Sequence, residues 1–363
     1  MDRAFYRISW GFSMHSTIIV LTLLFGLTVV QVLLWAIFLR IGLRWAGVAD
    51  VRTRRIVAAT GIVVAVEGGL YGLLRLLQPP STGIAVFLGL LEIVAVVLVP
   101  CLVVAQIFKV RFLVAFRGWL PTLIPSIGMI VVVLLVVLPF VCEVFVVSSN
   151  AMAPTLLGTH ARSTCPACGR SRFCSPVEQP YGFSHSRPRD LADPIGMICE
   201  NFHVTEAAAV DKKVFPPDRF VVAKFVEPRR WDMVVFRYPE DPSAVFVMRL
   251  VGLPGETIHI EDGAVWANGK RLELPTSLNG LEYLSELPEL RGWRDELWGS
   301  KDRPAVLGDD EYFVLGDWSL KSMDSRLWED GAPGHSPFAV PKSYLRGVVI
   351  CRYWPPQRWR VFR

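Results

Sequence analysis

The sequence predicts a membrane α-helical N-terminal half followed by a mainly β extracytoplasmic domain. Three observations carry that expectation. Apolar runs of bilayer length fill the chain up to residue 147. The composition then shifts near residue 148, from Leu, Val, Ile, Ala and Gly to a mixture with frequent Pro, Asp, Glu, Arg and Trp. From Pro217 onward, short apolar–polar alternations are separated by turn signals. A hydrophobic share of 52% over 363 residues, with mean hydropathy +0.40, is too high for an ordinary soluble protein. The expected division is four transmembrane helices over 1–147 and a β domain over 148–363. Two insertions are expected in that domain, a Cys-containing one at 160–210 and a second subdomain at 271–308.

A bilayer span needs about 20 apolar residues. Residues 17–39 carry no charge, 56–77 carry Glu67 and Arg75, 84–108 carry Glu92, and 122–147 carry Glu143 near the end. The first run is longer than the apolar core of a cleavable signal peptide and reads as a retained anchor. Arg40, Arg44, Arg52, Arg54 and Arg55 lie between the first and second runs; Lys109, Arg111 and Arg117 lie between the third and fourth. The stretch 78–83 has no charge. Both basic loops are therefore expected in the cytoplasm, which puts both chain ends and the β domain outside. Arg3 and Arg7 pull the other way and are outvoted. Glu67, next to Gly68-Gly69, reads as a packing group within reach of Arg75. Without an ion-pathway motif around Glu67 and Glu92, a transport role is set aside. The formal net charge of +5 resides largely in Arg clusters beside the apolar runs. Topology accounts for those clusters, so the lipid bilayer is the expected partner and nucleic acid is not.

In the second half, strands are expected at 219–225, 232–238, 245–251, 257–260, 264–267, 312–315 and 348–353. Asp262-Gly263 and Asn268-Gly269 are hairpin turns, because both dipeptides favour the positive φ that such turns require. Residues 271–308 break this rhythm with Pro, Leu, Trp and charges.

Seven cysteines are too few and too scattered for a disulfide scaffold. Cys101 and Cys142 lie in apolar runs and Cys351 is isolated. Thr164-Cys165-Pro166-Ala167-Cys168-Gly169 is different. It sets two thiols two residues apart, with a Gly that lets the turn aim both at one metal. The second half of a zinc ribbon is incomplete: Cys199 is present, Phe202 stands where its partner would be, and His203 follows. A structural zinc on Cys165, Cys168, Cys199 and His203 is one reading, with Cys174 as the alternative fourth ligand. A ribbon held by packing or by a disulfide is the other.

Five stretches remain. They are Ser149-Asn150-Ala151-Met152-Ala153-Pro154-Thr155-Leu156; Arg219 to Lys224 with Arg230-Trp231-Asp232-Met233-Val234-Val235-Phe236; Met248-Arg249-Leu250-Val251-Gly252-Leu253-Pro254-Gly255-Glu256; Gly316-Asp317-Trp318-Ser319-Leu320-Lys321-Ser322-Met323-Asp324-Ser325-Arg326; and Val340-Pro341 with Arg346-Gly347. In order and in membrane context they resemble the motifs of the type I signal peptidases. That resemblance implies a β fold of signal-peptidase type and an activity, the removal of signal peptides from exported preproteins. The family uses a Ser–Lys dyad and requires no cofactor. Residue by residue, the resemblance puts Ala151 at the nucleophile and Met248 at the base. Ser322 aligns with the Ser that orients the base, and Asp324 with Arg326 form the bracing pair. Ser149, Met152, Pro154, Arg249, Gly252, Pro254, Gly255 and Asp317 complete the scaffold. Trp231 stands at a usual Gly and Trp318 at a usual Asn.

A Ser–Lys dyad needs a hydroxyl and a desolvated amine. Ala151 has no hydroxyl, and Met248 has no proton to exchange. The expected function is thus a signal-peptidase-like protein, catalytically impaired or inactive, that binds signal peptides or preproteins along a strand edge. The alternative is an active endopeptidase with a displaced nucleophile such as Ser149, served by Lys224 or Asp317. If the box is a strand, Ser149 shares a face with Ala151 about 7 Å away.

Overall fold

The computed structural model describes residues 4–76, 82–175, 196–205, 213–286 and 297–363. The chain divides into two units, Leu21–Leu138 and Pro139–Arg363, the latter grouped with Met1–Val20.

The first unit is helical. It comprises α1 (Ala4–Trp45), α2 (Thr53–Leu76), α3 (Thr82–Phe108), α4 (Phe112–Trp119) and α5 (Leu123–Val132), the last running into a π-helical stretch, Val133–Val141. Four stretches are long and apolar enough to cross a membrane: Ile18–Trp45, Thr53–Leu73, Leu88–Phe108 and Phe112–Val141. Their outward faces are apolar, as lipid requires. Leu39, Leu43, Ile56, Ala59, Val104, Phe108 and Ala115 bury one cluster that ties α1 to α4 together. A Cβ on Gly42 would lie 2.0 Å from the Gly118 carbonyl oxygen, so α1 and α4 touch backbone to backbone. Glu67 is half-buried on α2. The side chains of Arg75 and Glu92 lie outside the described residues.

The fourth run is not one span from 122 to 147. Helical structure stops at Val141, and β1 (Cys142–Val146) begins at the next residue. Run length cannot separate a helix from a strand where the residues are Val, Phe and Cys. Here pairing decides, since β1 finds an antiparallel partner along its whole length in β7. Glu143 is accordingly a strand residue, and its carboxylate meets Lys224 Nζ at 2.9 Å and Arg346 Nη2 at 3.1 Å.

The second unit is mainly β. Its largest sheet has the order β1-β7-β16-β8-β9-β14-β15, with β17 paired to β16. Its later members are β7 (Arg219–Ala223), β8 (Met233–Arg237), β9 (Val245–Gly252), β14 (Glu311–Leu315), β15 (Val340–Pro341), β16 (Leu345–Trp354) and β17 (Arg360–Val361). A second sheet joins β10 (Thr257–Glu261), β11 (Ala264–Ala267), β12 (Lys270–Arg271) and β13 (Ala305–Val306). Its hairpins turn at Asp262-Gly263 and Asn268-Gly269, all four at positive φ. A third sheet is built from β2 (His160–Thr164), β3 (Ser171–Cys174), β4 (Met197–Cys199), β5 (Val204–Thr205) and β6 (Val214–Phe215), in the order β5-β4-β3-β2-β6.

Alternation along β9 and β14 divides the interior. Leu250 and Val314 enter one core with Phe220, Val234, Phe236 and Trp328. Their neighbours Val251 and Phe313 enter a second core with Ile258, Val265 and Tyr283. The described residues of 271–308 do not form a body of their own. Leu278, Leu281, Tyr283 and Leu307 fill the second core, and β13 pairs with β10.

Candidate peptidase-like site

The stretch after β1 is a turn, not a strand. Ser149 and Asn150 form a bend, and residues 151–155 turn on themselves. The Ala153 amide donates to the Asn150 carbonyl at 2.9 Å, the Leu156 amide to Met152 at 2.9 Å, and the Gly158 amide to Asn150 Oδ1 at 2.9 Å. Met152 and Leu156 are drawn into the first core. The extended register expected between Ser149 and Ala151 therefore does not exist. Ser149 and Ser148 are exposed, whereas Ala151 is half-buried. A run of Ser, Asn, Ala and Pro has weak strand propensity, and here the Asn150 side chain closes the turn instead.

The back of this turn is held by residues that lie outside every motif. Asp218 is fully buried and accepts from the Leu157 amide at 2.8 Å. Arg358 donates to it from Nε and Nη2, both at 3.0 Å. Arg352 and Arg358 also donate to the carbonyls of Thr155 and Pro154. The available hint was the basic C-terminal tail, whose arginines alternate with aromatic residues from Arg352 to Arg363.

On β9, Met248 lies opposite Val234 and is only 3% exposed, with its side chain in the first core. The next residue points the other way. Arg249 donates to both carboxylate oxygens of Asp317, at 2.7 and 2.6 Å, and to the Trp231 carbonyl at 2.7 Å. Burial opposes the charge on Arg249, but the Asp317 carboxylate outweighs it and raises the guanidinium pKa. Thr155 Oγ1 donates to the same Asp317, so one buried carboxylate ties three of the motifs together. Trp231 sits at φ +70°, a left-handed conformation that explains why Gly is usual there.

Ala151, Gly316 and Ser322 meet at one point. A Cβ on Gly316 would lie 2.0 Å from Ser322 Oγ and 2.8 Å from the Ala151 carbonyl oxygen. The Trp318 amide donates to that same Ala151 oxygen at 2.9 Å. Ser322 is 2% exposed, and its hydroxyl has no hydrogen-bond partner among the described residues. Behind it, Arg326 donates to both oxygens of Asp324 at 2.8 Å, and Asp324 accepts from the Gly316 amide at 3.0 Å. Arg326 also donates to Ser319 and to the Leu284 carbonyl, which satisfies a fully buried guanidinium.

The turn after β9 is fixed by packing and charge. A Cβ on Gly252 would strike Phe313, Ile258 and Leu307 at 2.7 to 2.8 Å, and Gly255 needs its φ of +75°. Glu256 takes a two-pronged contact from Arg230 and accepts from the Leu253 amide at 2.8 Å.

Residues 195–354 match the family model described as "Signal peptidase, peptidase S26". A signal peptidase I of Leptolyngbya laminosa is 34% identical over 152 residues, 39% of this chain and 62% of that protein. A probable signal peptidase I-1 of Synechocystis sp. is 27% identical over 203 residues, 51% of this chain and 90% of that protein. A solved signal peptidase I from Enterococcus faecalis V583 is 24% identical, covers 34% of this chain and 97% of its own, and superposes with a TM-score of 0.23. This stretch of the β-rich half is thus similar to the type I signal peptidases.

Within that half, several of the scaffold residues named from the sequence converge. Arg249, Asp317, Asp324, Arg326 and the turn bearing Met152 and Pro154 form a hydrogen-bonded body around Ala151, and the unpartnered Ser322 hydroxyl lies against Gly316 within it. Both bases named for a displaced nucleophile have charged partners. Lys224 is paired to Glu143, and Asp317 is held by Arg249 and Thr155. The cysteine insert brings Cys165, Cys168, Cys199 and His203 together, with one ligand atom from each within 4.8 Å of the others. Cys174 is excluded from that group, because strand alternation buries it against Ala161 and Met197.

Proposed function

We propose that this chain is a membrane-held, signal-peptidase-like protein that binds extended segments of exported preproteins without cutting them. The supporting observation is the pairing of an intact brace with an empty dyad. Arg249–Asp317, Asp324–Arg326 and Ser322 stand around Ala151, and Met248 is the residue before Arg249 on β9. A hydroxyl placed to orient a lysine amine has, in this chain, no partner among the described residues. Neither Ala nor Met attacks a carbonyl or takes a proton at any pH.

The groove offers a strand edge. On one side β9 pairs with β8 from Val245 to Arg249. On the other, β14 reaches it only from Arg249 to Gly252. The β14 ladder thus ends at Arg249, while the β8 ladder runs on to Val245. An extended peptide would run alongside this end of β9 by strand addition. Small side chains of the peptide would fit over half-buried Ala151. The arginine loops support an extracytoplasmic side for this groove in a multi-pass protein.

The test is binding of a fluorescent signal-peptide segment with a small-x-small site to the full chain in detergent. Saturable binding is expected, with the probe recovered uncut. Ala151→Trp should fill the cleft and weaken binding at least tenfold. Absence of saturable binding to the wild-type chain contradicts the proposal.

A further inference from the structure

We infer that Cys165, Cys168, Cys199 and His203 bind one structural zinc ion, and that this ion stiffens the sheet on which the Ala151 turn rests. The ligands come from two loops that close in the same way. In the first, between β2 and β3, the Gly169 amide donates to the Cys165 carbonyl at 2.8 Å with Gly169 at φ +71°. In the second, between β4 and β5, the Phe202 amide donates to the Cys199 carbonyl at 2.9 Å with Phe202 at φ +63°. A bulky residue held in that conformation costs free energy, and its effect here is to swing His203 back toward Cys165. The Asn201 amide points at Cys199 Sγ at 3.3 Å, the contact expected of a thiolate ligand.

Distances fit a tetrahedral ion. Zinc bonds of about 2.0–2.3 Å place ligand atoms roughly 3.3–3.8 Å apart. Cys168 Sγ and Cys199 Sγ are 3.7 Å apart, and Cys165 Sγ is 4.0 Å from His203 Nδ1. Thiolates with one imidazole suit zinc and not magnesium or calcium. The missing second thiol of the motif is thus replaced by His203, one residue beyond Phe202.

The consequence lies at the far side of the same strands. Phe173 of β3 and Ile198 of β4 pack against Ala153, Leu157 and Trp318, with Phe202 on the margin. Asn150 reaches the same sheet through Ser175 Oγ at 2.9 Å. Cys199 is the residue after Ile198, so an ion fixing the strand end also fixes the residue that supports the turn. This rests on residues outside the peptide groove and stands whether or not the groove binds peptide.

The experiment uses the full chain purified in detergent without chelators. Elemental analysis should find about one zinc per chain. Cys165→Ser should lose it, while Cys174→Ser, at a cysteine outside the cluster, should keep it. Stripping wild type should lower its melting temperature by about 5 °C or more, and zinc should restore it. Should Cys165→Ser fail to fold, cobalt added to stripped wild type should give visible bands of a tetrahedral thiolate site. Zinc well below one per chain with no cobalt spectrum overturns the inference. So does a Cys168–Cys199 disulfide found by mass mapping of the unreduced protein, since it would remove two of the four ligands.

Discussion

Ser322 buries a hydroxyl that meets no hydrogen-bond partner among the described residues, and such a group costs about 1–3 kcal/mol. That cost yields a test which needs no activity. In the wild-type chain Ser322→Ala should raise stability by about 1 kcal/mol, because it removes an unsatisfied group. In a Met248→Lys background the same change should lower stability by a similar amount, because an amine now needs the hydroxyl. Denaturation of all four proteins gives the coupling directly. A destabilising Ser322→Ala in wild type would contradict the reading of this site. His160 makes a second prediction at this scale. It is fully buried between Phe173 and Phe215, with Nδ1 donating to the Gly158 carbonyl and Nε2 accepting from Arg162. Burial lowers its pKa to about 4, helped by the positive charges of Arg162 and Arg358 and opposed by the Gly158 carbonyl and Asp218. Between pH 6.5 and 4 the unfolded chain takes up a proton that the folded chain refuses, so stability falls as pH falls through that window. The loss is on the order of 3 kcal/mol. His160→Phe should flatten the dependence of melting temperature on pH across that range.

At the scale of elements, the buried pairs hold the motifs in register. Removing one partner strands the other charge, so Asp324→Leu or Arg249→Leu should each destabilise by about 3–5 kcal/mol in a denaturant titration. Gly252→Ala should cost about 1–3 kcal/mol, because the new methyl meets three side chains that have no room to retreat. Much of this was legible from the sequence. Period-two alternation located β8 to β11 to within a residue or two, and Asp262-Gly263 with Asn268-Gly269 marked the hairpins. What was not legible depended on partners far away in the chain. Cys142 to Val146 reads as the end of a membrane run until β7 pairs with it. Ser149 to Ala151 reads as a strand until Asn150 caps the turn and Asp218, some seventy residues on, takes the Leu157 amide. Arg352 and Arg358 carry no motif, and only the folded sheet shows them reaching Thr155 and Pro154. Spacing offered His203 as the fourth ligand, with Cys174 as the alternative. Alternation in β3 turns Cys174 inward, away from the cluster.

At the scale of the whole molecule, an apolar helical unit precedes a β-rich unit that carries the signal-peptidase-like motifs, with Ala151, Met248, Trp231 and Trp318 at the departures from them. Folding accounts for the persistence of the motifs. Arg249, Asp317, Asp324 and Arg326 satisfy one another inside the protein, and none can be lost singly without a buried charge being left behind. Ala151 and Met248 lie under no such constraint, since a small residue fits the turn and an apolar one fits the first core. The proposed function accordingly has the scaffold tolerating loss of the dyad and keeping the groove. One cleavage assay tests this most directly. The full chain in detergent is offered a preprotein with a small-x-small site, beside the double variant Ala151→Ser, Met248→Lys. The account predicts no product from the wild-type chain and cleavage at that site by the double variant. Cleavage by the wild-type chain, or silence from a correctly folded double variant, would contradict it.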